Sequence, residues 1–110
     1  MDQATFPIEF NNEVDDVKKE DNEFYTLAVD RLSRLSAGHT DISGAVVNFK
    51  QPAQARETAH IYEVTIVTYM RGAEHIAATQ QSEQFRAALD GALDAVERQV
   101  REGRKQQRNR

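Results

Sequence analysis

From Ser82 to Arg110 the chain carries a pattern that suits a helix and needs a partner. Phe85, Ala88, Leu89, Ala92, Val96 and Val100 recur every three or four residues, so an α-helix puts them on one stripe. Such a stripe must be buried against another element, and that need limits the rest of the fold. Beyond Val100 the large apolar residues stop. The run Arg101-Glu102-Gly103-Arg104-Lys105-Gln106-Gln107-Arg108-Asn109-Arg110 is polar and mostly basic. One segment thus closes a core with its first half and presents positive charge with its second.

The partner face is readable upstream. Phe6, Ile8 and Phe10 alternate with Pro7, Glu9 and Asn11, the period of a short strand. A helix is predicted from about Asn22 to Ala37. Asp21 or Asn22 can cap it, and Phe24, Leu27, Ala28, Leu32 and Leu35 form its stripe. Gly38 sits where a left-handed residue ends a helix. Ile42 to Lys50 is β-rich and reads as a second strand, followed by a loop around Pro52. Ala59 to Met70 alternates throughout, with Tyr62, Val64, Ile66 and Thr68 on one face. Arg71-Gly72 marks a turn, Glu74 to Gln80 a fourth strand, and Ser82 can cap the last helix. Residues 11–20 are predicted as an acidic loop and 104–110 as a basic polar tail.

The order is therefore β-α-β-β-β-α. It predicts an α+β fold, a two-layer sandwich in which a four-stranded mixed sheet carries both helices on one face. At 110 residues the whole chain, 1–110, is expected to be a single domain. The first two strands flank a helix, so a right-handed parallel crossover is expected. The later connections are short, which predicts an antiparallel meander. Its fourth strand is a candidate edge for weak self-association. Gly91, with Ala87, Ala88 and Ala95, makes a flank of small residues that predicts a close neighbour, for which the first helix is the natural candidate.

Several kinds of chemistry lack their residues. The chain has no cysteine, which excludes disulfides, thiolate catalysis and cysteine-held metals. No apolar run approaches the roughly 18 residues of a membrane span. No apolar stretch follows Asp2, so no secretory signal is expected, and a cytoplasmic location fits. His39, His60 and His75 have no metal-binding spacing, and Glu63 and Glu74 have no visible partner. No phosphate-cradling glycine loop or nucleophile motif occurs. The expectation is no enzyme, no metal and no cofactor. Phe49, Tyr62 and Tyr69 can stack on bases if an open sheet face meets RNA, or can serve as core residues.

Charge is distributed unevenly. The net of −4 divides into −6 for residues 1–23, zero for 24–82 and +2 for 83–110. Arg98, Arg101, Arg104 and Lys105 lie off the apolar stripe. Two readings stay open. The cations can form a phosphate-binding patch. They can equally complement the helix dipole and pair within the helix as Asp94–Arg98 and Glu97–Arg101.

Local strings add a resemblance. Val29-Asp30-Arg31-Leu32-Ser33-Arg34-Leu35 resembles the end of the first helix in the ribosome hibernation-promoting factor family, also called sigma-54 modulation proteins. There a similar Asp-Arg-Leu-x-Lys-Leu string recurs. Ala87-Ala88-Leu89-Asp90 and Leu93-Asp94-Ala95-Val96-Glu97-Arg98-Gln99-Val100-Arg101 resemble its last helix. Asn48-Phe49-Lys50 sits where the family's second strand ends in a basic residue. The resemblance implies a short-form translation regulator that binds the small ribosomal subunit and its rRNA, where messenger and transfer RNA pass, and promotes hibernation under stress. It carries RNA binding onto Arg31, Arg34, Lys50, Arg98 and Arg101, with Arg104 and Lys105 extending the same face. Ala95 and Glu102 depart from the family pattern, which has lysine at the first and often a base at the second. The alternative is a sigma-54 modulation-like protein-interaction module that kept the fold and lost ribosome binding.

Overall fold

The structure, a computed structural model, describes residues 6–14, 23–38, 42–51, 61–72 and 75–108, with the backbone alone for 103–108. The order is β1 (Ile8–Asn12), α1 (Glu23–Gly38), β2 (Ile42–Lys50), β3 (Tyr62–Met70), β4 (Ile76–Ser82) and α2 (Phe85–Arg108). The sheet runs β1-β2-β3-β4. β1 is parallel to β2, and the other two pairings are antiparallel. This is the α+β sandwich that the alternation predicts.

Strand parity builds the core. Ala45, Val47 and Phe49 of β2 and Val64, Ile66 and Thr68 of β3 point to one face, and all are buried. Successive strand residues point to opposite sides, so the other face takes Val46, Asn48, Lys50, Thr65 and Val67. Helix α2 covers the inner face with Phe85, Ala88, Leu89, Ala92, Leu93, Val96 and Val100. Helix α1 adds Ala28, Leu32 and Leu35.

Aromatic rings tie the layers together. Phe49 lies 4.8 Å from Phe85 and 5.4 Å from Tyr25 in edge-to-face contacts, and 6.0 Å from Phe10. Phe24 meets Phe85 at 4.7 Å, joining α1 to α2. Edge-to-face geometry places the positive ring edge on the negative face, a gain of about 1 kcal/mol beyond burial. Phe49 and Tyr62 are therefore inner-face residues. Of the three aromatics offered for base stacking, Tyr69 alone is exposed, at 45%.

Two strand ends differ from the sequence reading. β1 runs to Asn12 rather than starting at Phe6, so Asn11 and Asn12 leave the predicted loop. Asn11 Nδ2 donates to Asn48 Oδ1 across the pair at 2.9 Å, and the Asn12 carbonyl oxygen of the side chain accepts from the Val14 N–H. β4 is likewise displaced toward Ser82. Gln81 Nε2 donates to Glu63 Oε1 at 2.7 Å, which holds the added residues in the ladder. Cross-strand pairing outweighs the poor strand propensity of Asn and Gln.

The glycines also differ. Gly38 is the last residue of α1, and the left-handed glycine among those described is Gly72, φ 69°, in the β3–β4 turn. A Cβ on Gly91 would meet the Gln80 side chain at 3.2 Å. Its close neighbour is therefore β4, which α2 overlies, and not α1. Ser82 does assist entry into α2, because its Oγ accepts from the Gln84 N–H at 3.1 Å. The proposed caps Asp21 and Asn22, His39, His60, the loop around Pro52, Glu74, and residues 15–20 of the acidic loop lie outside the described residues.

Two stability measurements follow. Phe49→Ala empties the aromatic junction and is expected to cost about 3–5 kcal/mol in urea unfolding. Gly91→Ala removes a helix penalty of about 1 kcal/mol, and the exposed Gln80 side chain can turn aside. The urea midpoint is expected to rise for this variant, and a fall would mean that Gln80 is held in place.

Candidate nucleic-acid interface

The sequence-predicted cations divide between two faces. Arg31, Arg34 and Arg101 line one groove of about 380 Å³ between the end of α1 and the outer side of α2, together with Leu35, Gly38 and Glu97. Arg98 is exposed one turn before Arg101 on the same side of α2. Lys50 follows Val46 and Asn48 on the outer face of the sheet, away from both helices, with Glu63 its cross-strand neighbour. The structure does not bring Lys50 to the groove. Arg104 and Lys105 lie on α2 beyond the core, and their side chains are outside the described residues.

The state of each arginine matters more than its position. Arg31 Nε donates to Glu97 Oε2 at 2.9 Å, and its Nη2 donates to Asp94 Oδ1 at 2.6 Å. Its Nη1 lies 3.8 Å from Asp90 Oδ1. Asp90, Asp94 and Glu97 stand at i, i+4 and i+7, so one stripe of α2 presents all three to α1. The hydrogen bond to Glu97 raises the Arg31 pKa well above its ordinary range; partial burial opposes this, and Asp94 adds to it. A guanidinium is already charged at any ordinary pH, so this has no titration consequence. It means that Arg31 is engaged within the fold.

Arg34 pairs with Asp30 at 3.1 Å, one turn earlier on α1, with its own side chain 74% exposed. Exposed pairs of this kind contribute only about 0.2–1 kcal/mol, so a phosphate can compete for Arg34. Arg86 pairs with Asp90 at 3.6 Å. Among the described residues, Arg98 and Arg101 have no ion-pair partner, and the predicted pairs Asp94–Arg98 and Glu97–Arg101 do not form. Their acids turn to Arg31 instead. Sequence reasoning missed this arrangement because Arg31 lies 63 residues from Asp94 and 66 from Glu97. The i, i+4, i+7 acids on α2 were its visible half.

A larger depression of about 760 Å³ lies near the start of α1, lined by Phe10, Phe24, Tyr25 and Leu27 with Glu23, Asp30 and Arg86 among its charges. None of the predicted cations borders it. His75 is exposed beside the Tyr69 ring, 6.1 Å away. Among the described residues no group of three or more His, Cys, Asp and Glu is placed to hold a metal. No helix among them is long and apolar enough to cross a membrane.

What the groove can do is hold anions at its basic end. Arg34 and Arg101 offer exposed guanidinium groups in the groove, and Arg98 is exposed one turn away on α2, while the carboxylates nearer the start of α2 repel the same ligand. On the outer stripe of α2, acid gives way to base at about Arg98.

Comparisons with known proteins bear on this arrangement. A ribosomal subunit interface protein from Coxiella burnetii has a similar structure, TM-score 0.71 at 16% identity, covering 91% of this chain and 99% of that one. The N-terminal domain of Protein Y from Thermus thermophilus is also similar, TM-score 0.62 at 18% identity, covering 89% and 94%. At these identities the likeness is one of fold. No curated protein matches the chain. Residues 13–108 match the family described as Sigma 54 modulation protein / S30EA ribosomal protein, and the chain belongs to that family.

Proposed function

We propose that this chain is a non-enzymatic, cytoplasmic translation regulator that binds the small ribosomal subunit through rRNA phosphates. The observation that carries this reading is the exposed guanidinium groups of Arg98 and Arg101, without an ion-pair partner among the described residues, with Arg101 lining one groove with Arg34, on a fold shared with a ribosomal subunit interface protein. The mechanism is occlusion. A rigid α/β body occupies the path of messenger and transfer RNA, and no bond is made or broken. Binding energy comes from charge-assisted hydrogen bonds to phosphate and from release of condensed counterions. Inhibition of translation and ribosome hibernation under stress follow from such occlusion.

In this reading Arg34, Arg98 and Arg101 contact phosphate, and Arg104 and Lys105 continue the row along α2. Lys50 meets a different strand of RNA, because it lies on the opposite face of the sheet. Arg31 is in the groove but already bound to carboxylates. The edge strand β4 is the element suited to weak self-association. The whole of residues 1–110 acts as one domain.

A second reading is favoured by Asp90, Asp94 and Glu97. Acid on the same outer stripe suits a basic protein partner, as in an interaction module that has lost ribosome binding. Co-sedimentation with purified ribosomes at several salt concentrations separates the two. Binding is expected at low salt and is expected to fall steeply as salt rises. Arg98→Glu with Arg101→Glu is expected to abolish sedimentation without changing the thermal melting curve. Neutralising the same two positions with Gln should lower the salt slope by about 1.5. Absence of ribosome binding by the unaltered protein at low salt overturns the proposal.

A further inference from the structure

Two of the three carboxylates that Arg31 holds are the natural partners of α2's own cations. Asp94 precedes Arg98 by four residues, and Glu97 precedes Arg101 by four, the favourable order for helical ion pairs. Neither pair forms among the described residues. The Arg31 fork takes both acids at once, through Nε to Glu97 at 2.9 Å and Nη2 to Asp94 at 2.6 Å. We infer that Arg31 is a positioning residue that draws Asp94 and Glu97 across the helix interface and so leaves Arg98 and Arg101 free for phosphate.

The geometry gives the reason. Arg31 is mostly covered, with a side-chain exposure of 21%, and reaches its acids from the neighbouring helix. A planar guanidinium donates in fixed, divergent directions and can satisfy two carboxylates together. An ammonium at the same position is a point charge on a flexible stem and cannot span both in the same way. Arg31 therefore acts on RNA binding without touching RNA. This consequence rests on the ribosome reading, whereas the exchange of ion pairs is a property of the free protein.

The informative variant is Arg31→Lys, which keeps the net charge and removes the fork. In the free protein, the Nε–Hε resonances of Arg98 and Arg101 are expected to shift as Asp94 and Glu97 return to them. Affinity for the small ribosomal subunit at low salt is expected to fall about fivefold, the worth of two helical pairs. Adding Asp94→Asn and Glu97→Gln to Arg31→Lys should restore affinity. Adding Glu13→Gln and Glu83→Gln, the same change in charge at exposed positions away from Arg31, should not. Equal rescue by the two pairs overturns the inference, because a general field then explains the effect.

Unchanged Arg98 and Arg101 resonances in Arg31→Lys overturn it as well. A second measurement keeps Arg31 in place. Asp94→Asn with Glu97→Gln alone should leave the Arg98 and Arg101 resonances where they are, since those acids are already withdrawn. A shift there sinks the idea even if Arg31→Lys fails to fold. If the unaltered protein does not bind ribosomes, the functional proposal falls, and the resonances still decide the ion-pair exchange.

Discussion

Every layer of this fold depends on the burial of Phe49. Its ring is inaccessible to solvent and touches rings from β1, α1 and α2. A mixed sheet with one apolar face cannot stand alone, and the rings around Phe49 are where both helices are held to it. The outer face has no such demand. There Asn11 bonds to Asn48, and the Thr65 and Thr79 hydroxyls lie 2.9 Å apart, so polar pairs complete the sheet's surface. The asymmetry between the faces puts both helices on one side. It thereby creates the groove in which α1 and α2 meet side by side.

That groove shows why charge type is a poor guide to charge availability. Arg31, Arg34, Arg98 and Arg101 look equivalent along the chain. In three dimensions one is committed to carboxylates, one is weakly paired at the surface, and two have no ion-pair partner among the described residues. The difference follows from which helix supplies the partner. An acid on a facing helix is held by packing, whereas one on the same helix competes with solvent and with side-chain entropy. The net charge of −4 therefore understates the basic end of α2 and conceals the acidic stretch before it.

Much of the fold was legible from local periodicity. The stripe from Phe85 to Val100 and the alternation from Tyr62 to Thr68 arise from backbone geometry, which each segment carries by itself. The element order and the mixed sheet followed from them. What escaped was set by partners distant in sequence. Asn11, Asn12 and Gln81 joined strands because a neighbouring strand supplied hydrogen bonds. Gly91 lies against Gln80 because α2 crosses over β4, a placement that no helical pattern encodes. Of the candidate site, residue identities were readable and pairing was not. Lys50 is the clearest case, since its strand parity was visible while its separation from the helices needed the assembled sheet.

The parallel pairing of β1 with β2 has a kinetic consequence. Asn11 and Asn48 are 37 residues apart, and all of α1 lies between them, whereas Thr65 and Thr79 are separated by 14. Closing the longer loop costs more chain entropy, and its reward comes only when α1 has a surface to settle on. The meander of β2, β3 and β4 with α2 is the cheaper unit to assemble and already presents most of the apolar face. On chain entropy, strand β1 and helix α1 are expected to join after that unit, which makes the groove between the helices a late feature of folding.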